Sequence, residues 1–327
     1  MEPVALIALV TLAALLLGAL AAALLARRLA AKYPAGGKFI EAGGVRLHYR
    51  RSGDPSRPAI LVLHGASSNL EEPRLALEAR FAGEHVIWLD RPGLGWSERP
   101  KAKVWSPADE AALIVQALEA LEIPEAVIIG HSWGAAIAMR IAIDHPQRVT
   151  GLVLIAPALS AWIGKAAWFN SASAWPLIGP LLTRVIIPLA GPAQLTSGAA
   201  SAFHPEALPE DYVARSHLPL ILRPGNWIAN AADMTMVNTH LELQETEYEH
   251  VQRPTHFLAG KADTVVWTHR HAGAVSQRMP DASLTLIPGA GHNLHHHHPA
   301  AVLEAVKSVR NRAALLTNAV EIAGATA

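Results

Sequence analysis

The stretch IIGHSWGAAIAMR, residues 128–140, joins an apolar β-type run to an alanine-rich helical run through one tight corner, and this junction is the strongest indication of the fold. Ser132 stands at that corner between Gly130 and Gly134. Glycine leaves out the β-carbons that would collide in a sharp strand-to-helix turn, and such a turn holds its central residue strained and exposed. We therefore predict that Ser132 is a nucleophile. The alternative is that its hydroxyl caps the following helix.

Short apolar runs on both sides of this corner are typical of strands in a parallel sheet that is buried on both faces. The runs are residues 59–65, 85–90, 126–131, 151–157, 255–260 and 283–289. A hairpin about Gly43 and Gly44 is expected before them. Helical patterns lie between them, of which the clearest begins with Ser106 as N-cap and Pro107 at the first helical position. This alternation predicts an α/β fold with right-handed crossovers.

The alternation stops between residues 157 and 253, where the chain is rich in Pro, Trp and Ala. The segment is too long for a plain loop, so we predict a helical cap over the edge of the sheet. The predicted domains are an anchor and linker at 1–38, a core at 39–156 and 254–327, and the cap at 157–253. The sequence does not specify the oligomeric state.

Residues 4–26 form a run of 23 residues without a charge. As a helix this run is about 34 Å long, enough to cross a bilayer, and it predicts a single-pass transmembrane anchor. A cleaved secretory signal would carry basic residues before the run, whereas Arg27, Arg28 and Lys32 follow it. A removed signal and a buried soluble helix remain alternatives. The basic flank predicts that the rest of the chain is cytoplasmic.

The composition excludes several classes of function. The 27 basic residues are balanced by 27 acidic ones, so we expect no nucleic-acid partner. The absence of cysteine excludes disulfides, thiolate catalysis and Cys-based zinc sites. Residues 295–298 are four histidines, which we interpret as a solvated helix start before Pro299 rather than a metal site, because four adjacent side chains cannot all face one ion. We expect no metal and no organic cofactor.

A serine nucleophile needs a base within hydrogen-bond reach and a group that orients that base. Asp263 follows the run 255–260, and His292 follows the last strand in a glycine loop. Serine, acid and histidine in this chain order, each at a strand end, are expected to converge. Asp263 has the alternative of being a turn residue, and Asp281 is a weaker candidate for the acid.

The negatively charged oxygen of a tetrahedral intermediate needs two prepositioned N–H donors. We predict that the backbone N–H groups of Trp133, directly after the serine, and Ala66, in the loop LVLHGASSN after an early strand, form this oxyanion hole. The backbone acts here, so the Ala66 side chain is free to be small.

The stretches LHGASS, LDRPGLGWS, IIGHSWGAA, AGKADTVV and GAGHNLHHHHP, in that order, resemble the α/β-hydrolase fold family over about residues 39–315. The resemblance implies an eight-stranded, mostly parallel sheet flanked by helices, with a lid after the sixth strand. It implies that the serine, aspartate and histidine named above form a catalytic triad with the two oxyanion donors. Asp90 and Gly93 match a loop of the family that we interpret as structural. The N-terminal anchor lies outside the family pattern.

Relatives that open epoxides or displace halide carry an aspartate at the corner, so Ser132 favours acyl chemistry. We predict a serine hydrolase that cleaves a carboxylic ester of an apolar substrate through an acyl-enzyme. One alternative is hydrolysis of a carbon–carbon bond in a dienoic or diketone acid, for which Arg184, Arg215 and Arg223 are candidate carboxylate ligands. Another is a non-catalytic, membrane-anchored scaffold on the same fold.

Four tryptophans of the predicted cap give the only indication of substrate: Trp162, Trp168, Trp175 and Trp227. They are expected either to line an apolar pocket or membrane interface, or to serve as ordinary core. Beside a membrane anchor at residues 4–26, the first reading predicts a lipophilic ester drawn from the bilayer.

Overall fold

The computed structural model describes residues 3–100, 104–164 and 166–325. Its strands are β1 Lys38–Ala42, β2 Val45–Ser52, β3 Ala59–Leu63, β4 His85–Leu89, β5 Ala126–His131, β6 Val149–Ile155, β7 Thr255–Gly260 and β8 Ala282–Ile287. They form one eight-stranded sheet in the order β1-β2-β4-β3-β5-β6-β7-β8. Pairing is antiparallel for β1 with β2 and for β2 with β4, and parallel elsewhere. The predicted mostly parallel sheet and its opening hairpin are confirmed.

The helices are α1 Pro3–Lys32, α2 Glu71–Leu77, α3 Pro107–Ala120, α4 Trp133–Asp144, α5 Trp168–Ala172, α6 Ile178–Leu181, α7 Ile187–Ala190, α8 Leu195–Phe203, α9 Tyr212–Arg215, α10 Pro224–Glu245, α11 Ala274–Ser276 and α12 Pro299–Ala325. The start of α3 is as predicted: Ser106 Oγ accepts a hydrogen bond from the backbone N–H of Asp109, and Asp109 Oδ2 accepts one from the backbone N–H of Ser106. Such reciprocal bonds satisfy two N–H groups that the first helical turn leaves free.

Alternate side chains of the central strands enter two separate apolar layers. In β3, Leu61 and Leu63 pack in the layer that contains α3 and α4, whereas Ile60 and Val62 pack in the layer that contains α12. Successive side chains of a strand point to opposite faces, and both faces of this sheet are covered, so the strands are apolar throughout.

Between β6 and β7 the described residues form helices α5 to α10 and no strand. The helical character predicted for this segment, which we call the cap, is therefore observed, while the domain boundaries stay predictions. Helix α8 meets the loop after β8, where a β-carbon on Gly291 would lie 2.3 Å from the carbonyl oxygen of His204. The cap thus contacts the edge of the sheet that carries the predicted site.

The uncharged N-terminal run forms α1. Two helical stretches of the described chain, Pro3–Lys32 and Ile178–Phe203, are long and apolar enough to cross a bilayer by length and composition alone. They touch each other, because a β-carbon on Gly18 of α1 would lie 3.0 Å from Val185 Cγ1. Membrane insertion itself stays a prediction.

Candidate active site

The corner between β5 and α4 has the sharp geometry that its glycines predict. Ser132 is partly exposed and has φ 53° and ψ −119°, which is strained for a residue with a side chain. It occupies the N-cap position of α4, yet its side chain makes no capping hydrogen bond. The helix-cap alternative is therefore wrong. The hydroxyl is left for another use.

The two glycines are needed because backbone passes close to both. A β-carbon on Gly130 would lie 2.6 Å from Ala135 Cα, and one on Gly134 would lie 2.4 Å from the carbonyl oxygen of Leu63. The first contact lies within the corner, and the second joins the start of α4 to the end of β3. No side-chain rotation can relieve either clash.

Asp263 and His292 meet as a hydrogen-bonded pair. His292 Nδ1 lies 2.8 Å from Asp263 Oδ2, and both side chains are buried. Asp263 Oδ1 accepts the backbone N–H groups of Val265 and Val266 at 2.8 and 2.9 Å. Asp263 is therefore a turn residue and the partner of His292 at once, since each carboxylate oxygen serves one role. With Nδ1–H donated to Asp263, Nε2 of His292 is the free ring nitrogen.

His131 links the serine corner to the histidine loop. It precedes Ser132 and donates from Nε2 to the carbonyl oxygen of His292 at 3.3 Å, with the two rings 4.9 Å apart. Burial lowers the pKa of His131 well below its ordinary value. The neutral, buried ring of His131, the last residue of β5, therefore contacts the loop that carries His292.

The histidine loop is held by the cap. The backbone N–H groups of His292 and Asn293 both donate to the carbonyl oxygen of Ala202 in α8, at 3.0 and 3.1 Å. The N–H of Gly291 donates to Glu206 Oε2 at 3.2 Å. No sequence motif indicated these partners, because they lie about 90 residues away in an irregular helical segment.

The weaker candidate acid lies elsewhere. Asp281 precedes β8, at the opposite end of that strand from His292, and its Oδ1 accepts from Arg312 Nη1 at 2.5 Å. It is a partner of helix α12, so it is not the residue that orients His292.

The predicted oxyanion donors lie on either side of the corner. Trp133 is the first residue of α4, where backbone N–H groups have no acceptor within the helix. A β-carbon on Gly65 would lie 3.1 Å from Ser132 Cβ, which places the loop carrying Ala66 directly beside the serine. The next N–H along that loop, that of Ser67, donates to Asn230 Oδ1 of α10 at 2.6 Å.

His64 fixes the start of the same loop. Its Nδ1 lies 2.9 Å from the carbonyl oxygen of Gly65, and its Nε2 accepts the backbone N–H of Arg91 at 3.0 Å. Only a neutral ring satisfies both bonds, as a donor at Nδ1 and an acceptor at Nε2. Burial and the nearby Arg91 lower the pKa of His64 to about 4.

The loop after β4 is structural, as interpreted. Asp90 is buried, and its carboxylate accepts from the backbone N–H groups of Leu70 and Trp96 and contacts His48 Nδ1, all within 2.8 Å. Gly93 adopts φ 81°, a conformation that favours glycine.

An ion-pair network beside that loop was not predicted. Arg91 is fully buried between Glu110 of α3 at 2.9 Å and Asp233 of α10 at 2.8 Å. It therefore ties the cap to the core. Only contacts between distant segments reveal this role.

The interpretation of residues 295–298 as solvated is wrong for two of the four histidines. Helix α12 does begin at Pro299, but a 3-10 turn at Leu294–His296 directs His295 and His296 inward against Glu72 of α2. His297 is exposed and His298 partly so.

The cap tryptophans divide into two pairs. The ring of Trp162 packs against that of His271, with the centroids 4.9 Å apart and the planes tilted by 51°, and Trp227 donates to Ser173 Oγ at 3.0 Å, so both are packing residues. Trp168 and Trp175 are 69% and 50% exposed. The interface alternative therefore applies only to the second pair.

The candidate carboxylate ligands do not form a cluster. Arg184 and Arg215 are exposed, while Arg223 binds the carbonyl oxygen of Gly95 and lies 4.3 Å from the Trp96 ring. Arg223 borders a surface groove of about 690 Å³ between the β1–β2 turn and α10. That groove is lined by none of the five predicted site residues.

Comparison with known proteins places the chain in a family. The model of the alpha/beta hydrolase family matches residues 60–305 of the 327, and the chain belongs to that family. It is 35% identical over 127 residues to 2-hydroxymuconate semialdehyde hydrolase of Pseudomonas sp. (strain CF600), which covers 37% of this chain and 44% of that protein. It is 36% identical over 111 residues to poly(3-hydroxyalkanoate) depolymerase of Ectopseudomonas oleovorans, which covers 34% of this chain and 39% of that protein.

The matches to these two relatives span 44 and 39% of the relatives' own lengths, well under two thirds. Among solved structures, a membrane phospholipase A described as a bacterial virulence factor superposes with a TM-score of 0.63 at 20% identity. The superposition covers 94% of this chain and 98% of the other. At this identity the likeness shows the fold alone.

The Gly134 contact generates the first test. In Gly134→Ala the added carbon would meet backbone oxygens at 2.4 and 2.6 Å, so we expect the free energy of unfolding to fall by roughly 3 kcal/mol. Thermal unfolding of the purified protein measures the change. Gly198→Ala in α8 is the control, because no atom lies within 4 Å of its added carbon. Equal melting temperatures for the two variants would contradict the close approach of α4 and β3.

His64 generates a pH dependence of stability. Its folded-state pKa, about 4, lies below the ordinary 6.5, so the unfolded chain binds more protons in this interval and stability falls as the pH drops from 6.5 towards 4. We expect this group to remove roughly 2 kcal/mol between pH 7 and 4.5, measured as a lower melting temperature.

His64→Gln should lower stability at pH 7 but make the melting temperature less dependent on pH. His297→Gln, at an exposed histidine, should leave the dependence as it is. An unchanged slope in His64→Gln would show that His64 is not the group responsible.

Proposed function

We propose that the protein is a serine hydrolase that cleaves a carboxylic ester of an apolar substrate. The observation that carries the proposal is the uncapped Ser132 at a strained corner, together with a His292 whose Nδ1 is held 2.8 Å from Asp263. A serine hydroxyl is a poor nucleophile at neutral pH, and this pair supplies the base and the group that orients it.

In the proposed reaction, Ser132 Oγ attacks the ester carbonyl carbon while His292 Nε2 takes the hydroxyl proton. Asp263 stabilises the imidazolium through Nδ1–H. The carbonyl oxygen becomes negatively charged and accepts the backbone N–H groups of Ala66 and Trp133. The proton then passes from His292 to the alcohol that leaves, and water activated by the same histidine hydrolyses the acyl-enzyme and restores Ser132.

Ester cleavage is favoured over carbon–carbon cleavage by the positions of the arginines. A substrate with a free carboxylate would need a cation in the site, and the three candidate arginines are either exposed or bound elsewhere. The relatives support both chemistries, since one is named a poly(3-hydroxyalkanoate) depolymerase and the other a 2-hydroxymuconate semialdehyde hydrolase. Carbon–carbon hydrolysis is therefore the second candidate.

Replacement of the nucleophile tests this reaction. We expect Ser132→Ala to lower kcat/KM for p-nitrophenyl esters by several orders of magnitude without changing the melting temperature, because it removes the attacking oxygen alone. A fluorophosphonate should label the wild type at Ser132 and leave the variant unlabelled. Ser201→Ala, on the exposed side of α8, is the control and should keep both the ester turnover and the fluorophosphonate labelling of the wild type.

A substrate panel of esters and dienoic acids separates the alternatives. Labelling with turnover of dienoic acids only would favour carbon–carbon hydrolysis. Retained ester turnover in Ser132→Ala would contradict the assignment of the nucleophile, and a wild type that is never labelled would favour the scaffold.

We further propose that α1 is a single-pass membrane anchor with the catalytic domain in the cytoplasm, on the side of Arg27 and Arg28. The described side chains of residues 4–17 are exposed, whereas Ala22 is buried and Leu29 packs with Leu222 of the cap. Only the first half of α1 is therefore free of the rest of the protein.

The cap is proposed to reach the bilayer together with α1. The free half, residues 4–17, is about 21 Å long, shorter than the roughly 30 Å of hydrocarbon that a spanning helix must cross. The half that lies on the cap would therefore also be within the membrane. Large apolar side chains are exposed on the cap, including Leu177 at 89% and Trp168 at 69%. An ester substrate entering beside this surface would come from the lipid phase.

This placement can be measured with single-cysteine labels, because the natural chain has no cysteine. A polarity-sensitive fluorophore on Leu177→Cys should be blue-shifted and quenched by nitroxide lipids when the full-length protein is reconstituted in vesicles. The matched control is Lys307→Cys, on the exposed side of α12, which should remain water-exposed. Equal quenching at the two positions would contradict contact between the cap and the membrane, and release of the protein by carbonate would contradict the anchor.

A further inference from the structure

Three side chains outside the predicted triad converge in the interior of the core. Glu72 is the second residue of α2, and His295 and His296 lie in the 3-10 turn after the histidine loop. His295 Nε2 and His296 Nε2 lie 3.0 and 2.7 Å from Glu72 Oε1, and the three atoms are all within 4.8 Å of one another. Glu72 and the two histidines, more than 220 positions apart in the chain, thus present possible metal-binding atoms to one point.

The cluster is buried and contains one carboxylate. Glu72 is 2% exposed and His295 is 0% exposed. Within the described part of the chain, the ion-pair partners of Glu72 are these two histidines, with no lysine or arginine. A carboxylate removed from water is costly unless it is paired, and a histidine supplies a positive charge only when it is protonated.

Hydrogen bonds satisfy only part of the cluster. Glu72 Oε2 and His295 Nδ1 are buried and have no hydrogen-bond partner among the described residues. The hydroxyl of Tyr212 lies 3.4 Å from Glu72 Oε1, which is long for a bond between oxygens. The second carboxylate oxygen is therefore an unused donor of electron pairs directly beside the two imidazoles.

We propose that Glu72, His295 and His296 form a binding site for a divalent transition-metal ion of the zinc type. Two imidazole nitrogens and one carboxylate oxygen are a donor set that binds Zn²⁺, with Glu72 Oε2 or water available for a further position. A divalent cation held by these three groups would supply positive charge directly to the buried carboxylate. Two of the four histidines of the tract suffice, because the 3-10 turn places their rings 4.7 Å apart.

The site is separate from the residues of the proposed reaction, and a bound ion would stabilise the structure. Helix α2 follows the loop that carries Ala66, and His295 follows His292 by three residues. An ion between them would tie the two loops together on the far side of His131, whose ring lies 4.6 Å from that of His295. Neither Ser132 nor Asp263 is a ligand.

Co²⁺ titration of the full-length protein tests the site, using protein without a histidine tag that has been treated with a chelator. We expect one Co²⁺ per chain with the intense visible absorption of a four-coordinate site, displacement of that ion by Zn²⁺, and a melting temperature raised by several degrees. Glu72→Gln keeps the size of the side chain and removes the anionic ligand, so it should lose the spectrum and the shift. His296→Gln is the second variant, and circular dichroism checks the fold of both.

His298→Gln is the matched control, because His298 belongs to the same tract but contacts Glu206 instead. It should bind Co²⁺ as the wild type does. A wild type without a stoichiometric spectrum or thermal shift would overturn the proposal and leave a cluster held by hydrogen bonds alone. Retention of both in Glu72→Gln, or their loss in His298→Gln, would also overturn it.

Discussion

The close approach of α4 to the end of β3 is the constraint on which the site depends. Gly134 lies so near the carbonyl oxygens of Leu63 and His64 that only a hydrogen atom fits between them. Neighbouring parallel strands β3 and β5 therefore deliver the loop carrying Ala66 and the corner carrying Ser132 to one place. A strained residue persists only where its surroundings overdetermine it, and here a packed strand, a helix and two glycine contacts do so.

The cap is part of the site as well as a cover. The carbonyl oxygen of Ala202 takes the N–H of His292, Asn230 takes the N–H of Ser67, and Asp233 pairs with Arg91 below the same loop. These bonds satisfy backbone and charged groups that the core alone would leave without partners. A displacement of the cap would therefore change the loop of the base and the loop of the oxyanion donors together.

Neutral, buried histidines surround the reacting groups. Burial lowers the pKa of both His64 and His131, so neither adds positive charge next to the serine corner. The two buried carboxylates differ in their partners, because Asp263 accepts two backbone N–H groups and pairs with His292, while Glu72 is bound by two histidines. Two buried carboxylates near one sheet edge thus have different environments, which is the physical basis for giving them different roles.

The amino-acid sequence predicted the strands, the start of α3 and the corner at Ser132, because each follows from local periodicity, capping or glycine spacing. It also predicted the pairing of Asp263 with His292, because parallel strands end at one edge of the sheet. It also separated Asp263 from Asp281 by position relative to a strand. It missed Ala202, Asn230, Asp233 and Glu72, and it placed His295 and His296 in solvent. These points depend on how the chain folds, since hydrogen bonds and burial between segments far apart in the chain leave no periodic signal in either segment.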